Sequence, residues 1–282
     1  MVVQMKLLSL ILATCGRKDE VCRFIESVLQ SVNVSVDDIE IIVVDQNSPD
    51  FNLKREVLKF SELISIKYIH SSKRGLSLSR NLGLNIASGK YLAFPDDDCL
   101  YYQDTIQSII STLDNELGYD FIIGRIYDRN TQKNILKYWP ARDKVLTKWN
   151  FYFLSSSITM FFKNKSVTKF DEQLGLGANY GSCEDPDYIL NNLNVGSKGL
   201  YTTRISVWHP EVPDTRFDSN RVRGYLRGFG FFCRKNLSAP IILFMFGSVI
   251  KRLLLTIVSK DVNKVPVLKS HFKGLYEGFM KK

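Results

Sequence analysis

Four short apolar runs, each separated from the next by a stretch of helical periodicity, restrict this chain more than any other feature. They are LLSLILA (7–13), IEIIVVD (39–45), SIKYIH (65–70) and KYLAFP (90–95). Between the first two, DEVCRFIESVLQSV sets Val21, Phe24, Ile25, Val28 and Leu29 on one helical face, and LSLSRNLGLNIA (76–87) is a second helical pattern that leads through Ser88 and Gly89 into the fourth run. Continuous apolar runs are buried on both faces, which is the habit of strands in a parallel sheet covered by helices. The alternation therefore predicts an α/β fold, a Rossmann-like, mostly parallel sheet with right-handed crossovers. In such sheets ligands bind outside the carboxyl ends of the strands.

Length and composition agree with that reading. At 282 residues, with 45% apolar and 24% charged side chains, the chain has material for one large domain or a domain with an appendage, and disorder is excluded. Cys15, Cys22, Cys99, Cys183 and Cys233 are odd in number, scattered and without metal-ligand spacing, which fits a reduced compartment. The apolar opening lacks the basic region and cleavage site of a signal peptide and reads as a buried first strand.

Three polar clusters fall at strand ends: Thr14 to Arg17, Asp45 to Ser48, and Asp96, Asp97 and Asp98. Asp-Gln-Asn-Ser-Pro-Asp is also good turn chemistry, so Asp45 has an ordinary alternative reading. Three consecutive carboxylates are costly unless a cation or donors receive them. One aspartate suffices to cap a helix before YYQDTIQSII, and three favour a hard divalent cation such as Mg²⁺ or Mn²⁺ bridged to substrate phosphates.

A second acidic cluster follows at Glu184-Asp185-Pro186-Asp187, which opens the helix DYILNNL after a glycine-rich loop with Gly175, Gly177 and Gly181. Capping is the plain alternative, but a carboxylate there can also act as a general base. His209 closes the apolar strand of VWHPEVPD.

This ordered set resembles the GT-A-fold glycosyltransferases of family 2 over roughly residues 7 to 215. The matching pieces are Thr14-Cys15-Gly16-Arg17, VVDQNS, RGLSLSRNLGLNIASGKYLAF, the aspartate triplet, the Glu-Asp helix start and the late histidine. The resemblance implies a single displacement that inverts the anomeric carbon. It implies that Asp45, Thr14, Arg17 and Arg80 line the nucleotide pocket, that Asp96 and Asp97 lie by ribose and metal, and that Asp98 is the direct ligand of Mn²⁺ or Mg²⁺, with Asp96 and His209 in the same shell. Asp185 is then the base for the acceptor hydroxyl, and Glu184 positions the acceptor or supports Asp185. The chain departs from the pattern at Ser182 and Cys183, where glycine is usual before Glu-Asp, and at Gln46. On this reading residues 1 to 215 form the catalytic domain, with a nucleotide-sugar half to about residue 100 and an acceptor half from 101, and 216 to 282 are a basic, apolar helical extension.

Two rivals remain at this point. A magnesium-dependent phosphatase of the haloacid-dehalogenase type would need Thr or Val where Leu100 stands, and a catalytically inactive nucleotide-sugar-binding relative would need no Asp185. Nucleic acid is not an expected partner, because no recognition motif accompanies the basic residues. The charge of +9 is a property of the C-terminal part: up to Thr215 the balance is −2, with 24 basic against 26 acidic residues, and from Arg216 on it is +11, with 14 against 3. Within 237 to 260 an apolar run of about a dozen residues is interrupted at Lys251-Arg252, short of the ~20 residues that span a bilayer. That predicts an interfacial or re-entrant helix pair on an anionic membrane surface, or else a core helix. The expected protein is thus a peripheral enzyme on the cytoplasmic face of the inner membrane. It would pass a sugar, most often from a UDP donor, to a lipid-linked saccharide in O-antigen, capsule or exopolysaccharide synthesis.

Overall fold

The structure, a computed structural model, describes residues 5–165, 167–211 and 213–280, which divide into two compact units. One runs to Arg74 and includes Leu78–Lys169 and Tyr188–Glu211; the other is Gly75–Ser77, Phe170–Asp187 and the residues after Glu211.

The first unit is a mixed sheet with flanking helices. Its strands are β1 (Leu8–Thr14), β2 (Ile39–Asp45), β3 (Ser65–His70), β4 (Tyr91–Ala93), β5 (Leu100–Tyr101), β6 (Phe121–Asp128), β7 (Lys133–Asn134), β8 (Lys144–Val145), β9 (Met160–Lys163) and β10 (Gly199–Trp208). Their order is β3-β2-β1-β4-β9-β6-β10-β5, with β7 beside β6 and β8 beside β10. The first four are parallel as expected, and every residue of β1 and β2 is buried, which is why they read as unbroken apolar runs. β9 enters antiparallel between β4 and β6, and β10 then runs parallel to β6. The carboxyl ends of β1, β4 and β10 therefore lie on the same side of the sheet.

The helices of this unit are α1 (Asp19–Leu29), α2 (Leu53–Leu58), α3 (Leu76–Leu84, shared at its start with the second unit), α4 (Thr105–Asn115) and the short α5 (Phe151–Leu154). On α1, Val21, Phe24, Ile25 and Val28 are buried as the periodicity predicts. The stretch after the aspartates differs from expectation. Leu100 and Tyr101 pair with Trp208 and Val207 instead of starting a helix, because Tyr101 is buried edge-on against Phe24 at 5.3 Å. Helix α4 starts at Thr105, so the aspartate triplet does not cap it.

Glu40 is a charged group built into the sheet. Glu40 on β2 accepts from Ser9 Oγ at 2.5 Å and from the Ser88 amide at 2.7 Å, and pairs with Lys67 Nζ at 2.6 Å. Burial alone would push its carboxyl up, but these donors outweigh it and hold the pKa below the usual range.

Helix α6 (Glu184–Asn194) straddles the division of the chain. The second unit contains its first turn and the helices α7 (Ser219–Lys235), α8 (Ala239–Val258) and α9 (Lys264–Met280). α7 and α9 lie backbone to backbone. A Cβ on Gly278 would sit 2.0 Å from the Arg227 carbonyl oxygen, and Arg223 forks onto Glu277 beside it. The expected helix pair in 237 to 260 is a single uninterrupted helix, α8, because Lys251 and Arg252 are good helix formers that cost it no backbone bond. At 20 residues it is long and apolar enough to cross a membrane by length and composition, and only Pro240 and Ile241 on it are buried.

Candidate active site

The carboxyl ends of three strands bring most of the predicted donor-site residues together. An isolated parallel bridge between Ala13 and Asp96 draws the aspartate segment alongside the end of β1. Thr14 Oγ1 then donates to Asp97 Oδ2 at 2.7 Å. Arg17, on the loop that follows, places Nη1 2.7 Å from Asp97 Oδ1 and 2.5 Å from Asp98 Oδ2. His209, just past β10, brings Nε2 to 3.3 Å from Asp98 Oδ1. Arg80 on α3, with only 1% of its side chain exposed, reaches Asp96 Oδ1 at 3.1 Å.

These neighbours separate the three carboxylates electrostatically. Burial raises the Asp97 carboxyl above its ordinary value despite Thr14 and Arg17. Burial also works against Asp98, but His209 and Arg17 outweigh it and hold that group low, so Asp98 is the more firmly ionised of the two. His209 shows the reciprocal effect, with burial lowering it and Asp98 raising it to a net upward shift.

The histidine tautomer follows from geometry. Nδ1 lies 2.7 Å from the Pro210 carbonyl oxygen, which can only accept, so Nδ1 carries the proton. In the neutral ring Nε2 then presents a lone pair to a carboxylate oxygen 3.3 Å away, an arrangement that needs a proton or a cation between them. Asp98 and His209 thus fit as two residues that would hold a hard divalent ion. Asp96, expected as a further ligand, is turned to Arg80 instead, and among the described residues no three His, Cys, Asp or Glu side chains converge on one point.

Asp45 ends β2 beside Thr14, its register partner on β1. It is buried; Oδ1 accepts from the amide and side chain of Asn47 at 2.8 and 2.7 Å, and Oδ2 accepts from the Tyr68 hydroxyl. Asn47 Oδ1 in turn accepts from the Gly16 amide at 2.6 Å, and the Asn47 carbonyl lies 2.8 Å from His70 Nε2. Asp45 therefore knits the loops after β1 and β2. Asn47, Tyr68 and His70 were not among the residues expected here; Asp-x-Asn is an Asx-turn signal for the first, while nothing local marks Tyr68 or His70.

Glu184 and Asp185 open α6 in the second unit. The loop before them folds on itself: Leu174 pairs with Tyr180, Tyr180 stacks on Phe231 of α7 at 4.0 Å, and Cys183 packs against this cluster. All five cysteines are free thiols.

The sequence and the fold have known counterparts. The profile described as Glycosyl transferase family 2 matches residues 9–171, more than half of the chain. The chain belongs to the family 2 glycosyltransferases, which removes the phosphatase reading. It is 28% identical over 171 residues to the poly(ribitol-phosphate) β-N-acetylglucosaminyltransferase TarP of Staphylococcus aureus, a stretch that is 58% of this chain and 51% of TarP. It is 30% identical over 149 residues to WfaP of Escherichia coli, a UDP-Glc:α-D-GlcNAc-diphosphoundecaprenol β-1,3-glucosyltransferase, covering 48% of this chain and 57% of WfaP. The chain thus spans about half of these two relatives, and 16% of two larger glycosyltransferases that it also matches. The fold is that of TarS from S. aureus, solved with UDP-GlcNAc, at a TM-score of 0.63 with 12% identity, over 95% of this chain and 90% of that one. It is also that of a Pyrobaculum calidifontis mannosyltransferase solved with GDP-Man and Mn²⁺, at 0.60 with 13% identity, over 96% and 74%.

Proposed function

We propose that this chain is a metal-dependent inverting glycosyltransferase that moves a hexosyl group from a UDP-sugar to a lipid-linked saccharide. The observation that carries the reading is the convergence of Thr14, Arg17, Asp97, Asp98 and His209 at the carboxyl ends of β1, β4 and β10. On this reading residues 1 to about 100 hold the nucleotide sugar, 101 to 215 the acceptor, and 216 to 282 form the membrane-associated extension. Asp98 and His209 hold Mn²⁺ or Mg²⁺, which would neutralise the charge that grows on the departing diphosphate. Arg17 adds a cation beside the same carboxylates, Asp96 and Arg80 border the donor, and the Asp45 loop receives the base. Asp185 takes the proton of the attacking hydroxyl, with Glu184 beside it in sequence to orient the acceptor.

A lipid-linked acceptor is supported by the diphosphoundecaprenol named for WfaP and by the exposed apolar length of α8. The balance of +11 after Thr215 complements an anionic leaflet or a phosphate-bearing acceptor. These features support the reading of a peripheral enzyme on the cytoplasmic face of the membrane, in synthesis of a surface polysaccharide such as O-antigen or capsule. A thermal-shift panel of UDP, GDP and dTDP sugars with and without Mn²⁺ tests the donor and the metal together, since a ligand of the folded state raises the melting temperature by mass action. Stabilisation by UDP-sugars only when Mn²⁺ is present supports the reading. No response to any nucleotide sugar refutes it, and binding without turnover on any lipid-linked acceptor leaves an inactive relative.

A further inference from the structure

The acid pair at the start of α6 is held from both sides by one helix. Ser182, two residues before Glu184, is buried, and its Oγ donates to the Tyr225 carbonyl of α7 at 2.8 Å. One turn further along α7, the backbone at Gly228 lies against the same serine: a Cβ there would sit 2.3 Å from Ser182 Oγ, 2.8 Å from its carbonyl oxygen and 2.9 Å from its amide nitrogen. Only glycine admits that approach. On the far side of the pair, Asp187 is fully buried and accepts from Lys235 Nζ at 2.8 Å and Asn236 Nδ2 at 2.9 Å. Lys235 also bonds Asp171 at 2.7 Å. The two attachments are seven residues apart on α7, roughly 10 Å along its axis.

Between them the backbone is strained. Cys183 has a φ of +71°, a left-handed conformation that side-chain-bearing residues seldom adopt. Its carbonyl accepts the Asp187 amide at 3.1 Å, the bond that starts the helix. A non-glycine residue stays in such a conformation only where its surroundings over-determine it, and such sites concentrate where geometry serves function. Simple packing of α7 on this loop would have been met by Tyr180 and Phe231 alone.

We propose that Ser182, Gly228 and the Asp187–Lys235 pair are positioning residues: α7 acts as a splint that fixes the direction in which Glu184 and Asp185 leave the turn. The proposal rests on Asp185 being the base. The full chain and its Ser182→Ala, Ser182→Thr, Gly228→Ala and Asp185→Asn variants are compared in three measurements. These are UDP release from UDP-glucose with GlcNAc-diphosphoundecaprenol, UDP affinity with Mn²⁺, and hydrogen exchange at the amides of residues 183–190.

Ser182→Ala should lower UDP release at least tenfold and speed exchange in 183–190, with UDP affinity and melting temperature unchanged. Gly228→Ala, whose Cβ collides with the Ser182 backbone, should do the same to release and exchange, with UDP affinity unchanged and a lower melting temperature. Ser182→Thr, which keeps the hydroxyl, should restore both release and exchange. Unaltered exchange in Ser182→Ala overturns the proposal even if no turnover is found on this acceptor. So does a loss of rate in Ser182→Ala that merely follows a loss of UDP affinity or of melting temperature. Full activity in Asp185→Asn removes the base assignment instead, and inactive Asp185→Asn beside fully active Ser182→Ala and Gly228→Ala removes the positioning role alone.

Discussion

His209 Nε2 and Asp98 Oδ1 face each other at 3.3 Å while the opposite ring nitrogen is bonded to the Pro210 carbonyl. The pair joins the segment after β4 to the end of β10 across 111 positions of sequence, and its chemistry is unequal. A carboxylate is the harder, charged ligand, and the imidazole is neutral when it binds a metal.

Asp98→Ala should therefore abolish the Mn²⁺-dependent part of UDP binding, and His209→Ala should weaken it by a smaller factor. Calorimetric titration of UDP with and without Mn²⁺ reads both. Equal metal dependence in wild type and Asp98→Ala would move the ion elsewhere.

Asp185→Asn should keep UDP and metal affinity and lose transfer by about 10²–10⁴-fold, the usual contribution of a general base. The check is a pair of measurements on one preparation, UDP affinity and turnover. Near-normal turnover takes the role from Asp185.

Much of the first unit was legible because β1, β2 and β4 are buried along their whole length and so read as apolar runs. β2 and β3 end where the apolar runs 39–45 and 65–70 end, and the aspartates follow β4 as their spacing predicts. What could not be read depends on lateral neighbours. Nothing in MFFK states that β9 slots antiparallel between β4 and β6, and nothing near Tyr68 states that its hydroxyl will meet Asp45 one strand over. The continuity of α8 was missed for another reason: a pair of cations breaks an apolar run without breaking a helix.

Glu40 gives the sheet a pH response. Its folded pKa lies below the unfolded value, so its contribution is present above about pH 4.5 and is lost as pH falls through the lower folded value. Glu40→Gln should be less stable than wild type at pH 7, by less than the about 3–5 kcal/mol typical of breaking a fully buried pair, because Lys67 is partly exposed. The gap between the two should narrow on acidification towards pH 3. A gap that stays constant with pH would mean that the carboxylate charge contributes nothing.

Leu243, Phe246, Ile250, Leu254 and Ile257 lie exposed along one stripe of α8. If the stripe enters a lipid surface, Phe246→Glu with Ile250→Glu should abolish sedimentation with anionic vesicles while UDP affinity and melting stay unchanged. Added salt should weaken binding of the wild type by screening its cations. Removing the segment altogether is a poorer test, because α9 lies beyond it and covers the backbone of α7 at Gly278. Wild type that ignores anionic vesicles at low salt ends the membrane reading.

The pairing of β5 with β10 also bears on the order of synthesis. Leu100 and Tyr101 have their sheet partners at Trp208 and Val207, and Asp98 meets His209 just beyond. On a ribosome adding about 5–20 residues per second, the aspartate segment waits roughly 5–20 seconds for that strand to emerge. In the interval Thr14, Arg17 and Arg80, made earlier, are its available partners, so the growing chain can gather its first strands and three of its four polar partners before the histidine exists. A stop codon anywhere between residues 102 and 206 would leave a chain with the aspartates in place and their segment tethered on one side only.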